Sequence, residues 1–525
     1  MDWTVPARHG SISGFRRAPT GKTGFPRRWL SSALKQRLLD SPTANTWASA
    51  LVRALNVFLV LPLVLKHLSE AEIALWSVFS TLIFLQTVLD FGFQSTFTRL
   101  TAYAFGGADP IDPARSPGTV APEGSPNWPL VRRIAATTRW IYGRLSWALF
   151  GLLAVPGSWA LWRRVQELAS GSGPTADALH PSPTTPAQAW LAWSIIVGVT
   201  TVQFRGNWMV GYLAGTGHLA RVRRWEALFG LASLATTPWV LWWSHSLLAM
   251  VAVNQTWILL GVLRNRWLSR RLNGGLLAET PTPLRDAELL RTAWPQAWRS
   301  GIGSWAALGS VHLGSLVYAQ VPDSKAVASY LVSLRLAQTV SVMAGGAVFS
   351  RLPNLAEHWS RRRLEEFRRE ANQGTRLALW ATAAALGLLA WVGPWLLGTA
   401  LRTPVPFAAA PTWSLLSLAL FAERFGGTHL AVASATNRIH WHVTALVSGA
   451  IFLVVGATTY RWLGVDALPL GMLAGAAGFV APYARRSTRA IPGFGGWDFD
   501  RRTSFGPAAL LLALLLARFV TARFP

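Results

Sequence analysis

Four arginines stand inside stretches apolar enough to lie in hydrocarbon: Arg53, Arg205, Arg335 and Arg424. An ionisable side chain there costs at least ~2.5 kcal/mol and is functional by default. Arg53 lies some 11 residues into the first apolar run, and Arg205 and Arg335 each lie 16 residues from the loop arginines Arg221 and Arg351, which is deep at 1.5 Å per residue. Arg144 is nearer a surface and is expected to snorkel. The carboxylates near this depth are few: Asp90, Glu423 beside Arg424, and Glu226 close to the inner interface. A surplus of buried cation calls for an anion, and guanidinium suits bidentate contact with phosphate or carboxylate. The expected chemistry is a hydrated cationic cavity for a phosphate-bearing or acidic substrate. For each arginine the plainer alternative is an ion pair or carbonyl contact that ties helices together. Asp90, nine residues before Arg99, is expected to form a salt bridge to a neighbouring helix, with proton or sodium coupling as the second role for Asp90 and Glu423.

Other constellations fail on inspection. The TGKTG at 20–24 lacks the first glycine of a phosphate-binding loop, whose place is held by Arg16, and no strand precedes it. His440 and His442 do not share a helix face and have no third ligand nearby, so neither a metal nor any cofactor is expected. With no cysteine in the chain, disulfides, thiolate metal sites and cysteine nucleophiles are excluded. Gly471 and Gly475 form a small-xxx-small pair, read as helix packing.

The elements that must carry these side chains are membrane helices. Of 525 residues, 51% are hydrophobic and 14% charged, and the mean hydropathy is +0.30, too apolar for soluble domains. A net charge of +26 would suit nucleic acid, but the basic residues sit in short blocks between apolar runs, as they do around membrane spans. The 29 Trp and 31 Pro fit the same reading. At about 20 residues per span, helices fall near 43–65, 71–97, 140–162, 187–213, 225–243, 246–263, 300–319, 326–350, 376–397, 409–434, 441–460 and 466–484, with 505–520 as a thirteenth candidate. Lys and Arg alternate accordingly. With the N-terminus in the cytoplasm, the inner segments hold 36 of the 49, and the outer side holds Lys66, Arg163, Arg164, Lys325, Arg402, Arg461, Arg518 and Arg523. The basic first forty residues precede no signal-length apolar run and read as a cytosolic tail, with an organelle transit peptide as the alternative. Glu70 and Glu72, in the short turn 66–72, are expected to cap the next helix.

The fold class expected is therefore an all-α membrane protein of about 12 helices, or 13, in two six-helix bundles around a central cavity. Its parts are a cytoplasmic basic tail (1–41), a first bundle (42–264), a cytoplasmic linker (265–298), a second bundle (299–485), and a basic loop plus extra helix (486–525). An internal echo supports two like-oriented halves: a long helix, a short turn and a second helix ending in Arg99 recur before Arg351, as parallel repeats do in transporters.

Residues 61–100, LPLVLKHLSEAEIALWSVFSTLIFLQTVLDFGFQSTFTRL, together with YLAGTGHLARVRRWEA (212–227), WPQAWRSGI, ASYLVSLRL and ATNRIH, resemble the bacterial polysaccharide and O-antigen flippases of the multidrug/oligosaccharidyl-lipid/polysaccharide exporter superfamily. Asp90, Gly92 and Arg99 match the Asp-aromatic-Gly element followed by Arg. The resemblance implies alternating access and an oligosaccharide on undecaprenyl pyrophosphate, moved across the bacterial inner membrane without enzymatic chemistry. It makes Arg53, Arg99 and Arg335 the candidates to meet pyrophosphate or acidic sugars, while Arg205 and Arg424 rest on their depth alone. Implied partners are the lipid-linked oligosaccharide, membrane lipids, a proton or sodium ion, and polysaccharide polymerase and chain-length proteins; no nucleic acid is expected. The long basic tail and the C-terminal apolar run depart from the family pattern. Alternatives are a relative of the same superfamily carrying a drug or another lipid, and a membrane glycosyltransferase or polymerase, which would be expected to show a larger outside loop.

Overall fold

A computed structural model describes residues 41–52, 55, 68–107, 126–169, 184–277, 281–318, 324–400, 406–489, 491, 494 and 496–523. Arg53, the basic tail with its TGKTG segment, and Lys66 lie outside the described residues. The first half contains α1 (42–52), α2 (Glu70–Asp90), α3 (Phe93–Phe105), α4 (Trp128–Leu152), α5 (Ser158–Ala169), α6 (Pro186–Gly215), α7 (Leu219–Ser244) and α8 (Leu247–Arg271). The second contains α9 (Ala287–Tyr318), α10 (Ser324–Phe349), α11 (Leu352–Ser360), α12 (Leu364–Trp395), α13 (Ala410–Ala435), α14 (Trp441–Leu463), α15 (Ala467–Gly475) and α16 (Ala481–Thr488), followed by α17 (Trp497–Asp500) and α18 (Gly506–Arg523). Among the described residues, seven runs are long and apolar enough to cross a membrane, or eight if the bent pair α2–α3 is one span. The chain is a multi-pass membrane protein.

Local chemistry sets the element boundaries. Ser69 caps α2 through the backbone N–H of Glu72 while the Glu72 carboxylate accepts from the Ser69 N–H, so the expected capping role holds for Glu72. The second predicted span is not one straight helix. Phe91 (φ 48°) and Gly92 (φ 74°) break it, and the two pieces bend by 43°. Gly92 is required twice over, by its positive φ and because a Cβ there would stand 2.6 Å from Ser300 Cβ. The apolar run Trp441–Thr488 folds back at Gly464 (φ 53°) into a hairpin. Its arms close through Gly471, which faces the Phe452 carbonyl, and Gly475, which faces that of Ser448, the packing expected of a small-xxx-small pair. Exposed indoles of Trp159, Trp162, Trp239, Trp242, Trp243 and Trp462 cluster at the helix ends away from the arginine-rich loops, as an interfacial belt does.

The two halves repeat one packing scheme. In the first, α6 is central and packs on α3, α4 and α8; in the second, α13 is central and packs on α10, α12 and α15–α16. Both central helices end in the same way, Thr216 and Thr436 being followed by a left-handed residue, Gly217 or Asn437. The next N–H then reaches back in each case, His218 to Leu213 O and Arg438 to Ala433 O. The C-terminal apolar run forms α18, which lies along α12 with Leu514 against Gly387. Its approach is pinned by a buried group in which Asp500 pairs with Arg485 (2.5 Å) and His429 (3.4 Å).

Candidate functional site

The two halves meet in a seam at the end that carries the arginine-rich loops. The Tyr103 hydroxyl of α3 donates to Ala435 O of α13 (2.5 Å) and Arg361 donates to Phe105 O (3.2 Å). Thr43 of α1 bonds Ser350 at the end of α10 (3.2 Å). Gly106 comes so close to Ser360 that a Cβ would overlap its hydroxyl. This end is therefore closed by direct contact between the halves.

Arg99 lies in that seam. It is one turn before Tyr103 on α3 and 5% exposed. Its guanidinium makes a single long hydrogen bond, to the Thr96 hydroxyl (3.4 Å), and its Nε has no partner. No carboxylate among the described residues pairs with it. A buried cation so poorly satisfied is costly, and sequence alone does not reveal that it is buried.

Arg335 is exposed on α10. It shares a helix face with Gly346, which rests on Thr46 and Trp47 of α1, and stands about 16 Å further along the axis. The same interface is thus closed at the basic end and presents an exposed guanidinium beyond it.

The remaining arginines are not gathered here. Arg424 of α13 donates to the carbonyl (2.6 Å) and hydroxyl (2.8 Å) of Ser341 on α10 and fills the space left by Gly345. These two bonds, both from Nη2, are the contact expected of the helix-tying alternative, while the buried Nε has no partner among the described residues. Arg205 is exposed on α6, close enough to Arg139 of α4 and Arg266 of α8 for their charges to repel. Arg144 is exposed and stacks over Trp140 at 5.5 Å, in keeping with its snorkelling.

The carboxylates also resolve into distinct roles. Asp90 at the end of α2 forms no salt bridge among the described residues. It accepts instead from the Tyr142 hydroxyl of α4 and the Gln94 backbone (3.3 Å), stabilising the break between α2 and α3. The correction has a simple physical basis: a phenol satisfies the carboxylate without burying a second charge. Glu226 pairs with Arg223 (2.7 Å) and accepts from Ser49 of α1 (3.2 Å), fastening the first helix to α7. Glu423 is exposed, although its helix neighbours along that face, Leu416, Ala419, Leu420 and Gly427, are buried.

A polar cavity of about 210 Å³ lies beside the seam, lined by Ser41, Thr43, Arg351, His358, Glu366 and Glu370 among others. His358 sits between Glu366 and Glu370 at 3.1 Å each, and Asn354 also bonds Glu370 (3.2 Å). Arg351 Nη1 in the same lining is buried with no hydrogen-bond partner among the described residues.

No family profile and no curated protein matches this sequence. Solved structures do match its fold. A multidrug resistance MATE family transporter of the MOP superfamily, in an outward-facing conformation, is 13% identical with a TM-score of 0.62, over 87% of this chain and 98% of that one. A MOP superfamily transporter from Pyrococcus furiosus, described as having a binding pocket of reverse polarity that suggests a different function, gives 0.59 at 13% identity over the same shares. The eukaryotic MATE transporter AtDTX14 gives 0.58 at 13% identity, over 93% of this chain and 99% of that one. The chain has the MATE transporter fold.

Proposed function

We propose that this chain is an alternating-access transporter that turns an anionic lipid-linked substrate, a saccharide on a polyprenyl pyrophosphate, from the cytoplasmic to the opposite leaflet of a bacterial inner membrane. The observation that carries the reading is Arg99, a guanidinium shut into the seam between the halves with no counter-charge among the described residues. A permanent interface would be more stable with an apolar residue there. A seam that opens to the cytoplasm to receive pyrophosphate gives Arg99 its partner in the other state, and binding to that state shifts the equilibrium. Arg335, exposed on the same interface, is the second contact, and the short outer loops leave no room for a glycosyltransferase domain. The basic end is cytoplasmic on this reading, following the distribution of Lys and Arg.

An organic-cation exporter is the second reading, favoured by the exposed carboxylate of Glu423 and by the drug transporters that share the fold. The experiment separates them. Arg335→Glu and Arg99→Gln each remove a charge-assisted contact and should lower export of surface polysaccharide about ten- to a hundredfold. The lipid-linked intermediate should then accumulate on the cytoplasmic face, and Arg335→Lys should retain part of the activity. Unchanged polysaccharide export in both variants, with efflux of a cationic dye from proteoliposomes lost in Glu423→Gln, would transfer the assignment to cation export. Failure of the intermediate to form at all would favour an enzyme.

A further inference from the structure

Away from the seam, the first half carries a second group of arginines. α6 is flanked by α4 and α8, and toward the basic side of these helices Arg139 lies close enough to Arg205 and to Arg266 for its charge to be repelled by both. The linker adds to the cluster by lying along α4. Arg139 donates to the carbonyl of Pro281, the N–H of Leu284 reaches Ala136 O (3.4 Å), and the guanidinium of Arg285 lies 5.9 Å from the Trp140 ring. Arg144 lies over the same ring at 5.5 Å.

Arg139, Arg205 and Arg266 thus lie near one another with Arg144 and Arg285 at the Trp140 ring beside them, and none of the five pairs with a carboxylate among the described residues. The nearest in the chain, Asp286 and Glu288, are both taken by Arg133. Guanidinium remains protonated throughout the accessible pH range, so the cluster carries a standing surplus of positive charge.

What lies one turn deeper selects the ligand. Three residues from Arg144 is Trp147, 65% exposed; three from Arg205 is Val202, 46% exposed; three from Arg266 is Leu263, 51% exposed. In each helix the step runs away from the basic end, toward the middle of the bilayer. A free phosphate would use the charges and leave this apolar surface bare, whereas a phospholipid uses both.

We infer that the face formed by α4, α6 and α8, with the linker segment 281–285, is a binding site for an anionic glycerophospholipid of the leaflet at the basic end. Its phosphate is held among Arg139, Arg205 and Arg266, and its acyl chains lie along Trp147, Val202 and Leu263. Basic pockets between membrane helices on the cytoplasmic side are suited to such headgroups. The bound lipid neutralises the cluster and secures the linker against the first half. This site does not depend on the transport reading.

The full chain, purified in detergent, is titrated with dioleoylphosphatidylglycerol, dioleoylphosphatidylcholine, inorganic phosphate or inorganic pyrophosphate, and bound lipid is counted by native mass spectrometry alongside thermal stabilisation. Phosphatidylglycerol should bind and stabilise in preference to phosphatidylcholine, and neither inorganic anion should reproduce the stabilisation. Each arginine replaced by Gln in the set Arg139, Arg205 and Arg266 should weaken phosphatidylglycerol binding about fivefold. The control set Arg221→Gln, Arg291→Gln and Arg376→Gln, exposed elsewhere on the basic end, should leave it unchanged. If the triple variant does not fold, Arg205→Gln alone, at an exposed position, gives the decisive affinity. Wild-type affinity in that variant, equal binding of both lipids, an equal loss in the control set, or full stabilisation by phosphate or pyrophosphate overturns the proposal.

Discussion

An arginine whose donors already satisfy a neighbouring backbone does a different job from one held without a partner, and this chain contains both. Arg424 is a pin: its guanidinium reaches across to Ser341 on α10, and Gly345 clears the space for it. A Cβ at position 345 would stand 2.3 Å from Arg424 Nη1, so Gly345→Ala must push the guanidinium off its acceptors. Losing hydrogen bonds from a charged donor should cost about 1.5–3 kcal/mol, read as a lower thermal midpoint in detergent. An unchanged midpoint would show that Arg424 finds other acceptors and that the pin is dispensable. Arg99, by contrast, has one long contact among the described residues, and the proposed transport cycle assigns its partner to a state where the seam is apart. Sequence revealed the type and depth of these side chains but not which of them had already found an acceptor, because Ser341 and Arg424 are 83 residues apart.

At the scale of elements, the linker is held by charge as much as by chain connectivity. Arg133 of α4 grips Asp286 and, at 2.7 Å, Glu288, just where α9 begins. Burial disfavours ionisation of Asp286, yet the Arg133 hydrogen bond and the N–H groups of Leu289 and Glu288 outweigh it and hold the carboxyl below its ordinary range. The sign follows by linkage: a depressed folded pKa stabilises fully above the unfolded value of about 3.9 and is lost as pH falls through the folded one. The difference in thermal midpoint between the wild-type chain and Asp286→Asn should therefore be largest near neutrality and shrink below about pH 4. A difference that stays constant to pH 3 would mean that the ion pair does not hold the linker. Capping was legible at this scale, since Ser69 and Glu72 are three apart and local. The break at Phe91–Gly92 was not, because its necessity comes from Ser300 on α9, more than 200 residues away.

For the whole molecule, the decisive question is whether the seam at the basic end opens. The chain contains no cysteine, so an engineered pair reports without background. Thr43 and Ser350 place their hydroxyls 3.2 Å apart across the halves, within reach of a disulfide if the backbones allow. The double variant Thr43→Cys/Ser350→Cys should cross-link under mild oxidation, stop polysaccharide export, and recover it when reduced. Cross-linked protein that exports at the wild-type rate would mean that the halves need not part at this end. The repeated packing of the halves, each around a central helix with a matching terminus, supports their movement as two bodies.

Taken alone, the sequence determined the solvent in which this protein folds, the number and alternation of its long helices, and the chemistry of its caps and turns. Each of these depends on composition or on residues a few positions apart. Only the tertiary structure decided which arginine is sealed in a seam, which is tied to a backbone, and which lie near one another across α4, α6 and α8. The physical reason is that helices apolar on every side carry little amphipathic signal. The direction of a buried charge is fixed by rotation about the helix axis, and that rotation is set by packing against partners distant in the chain.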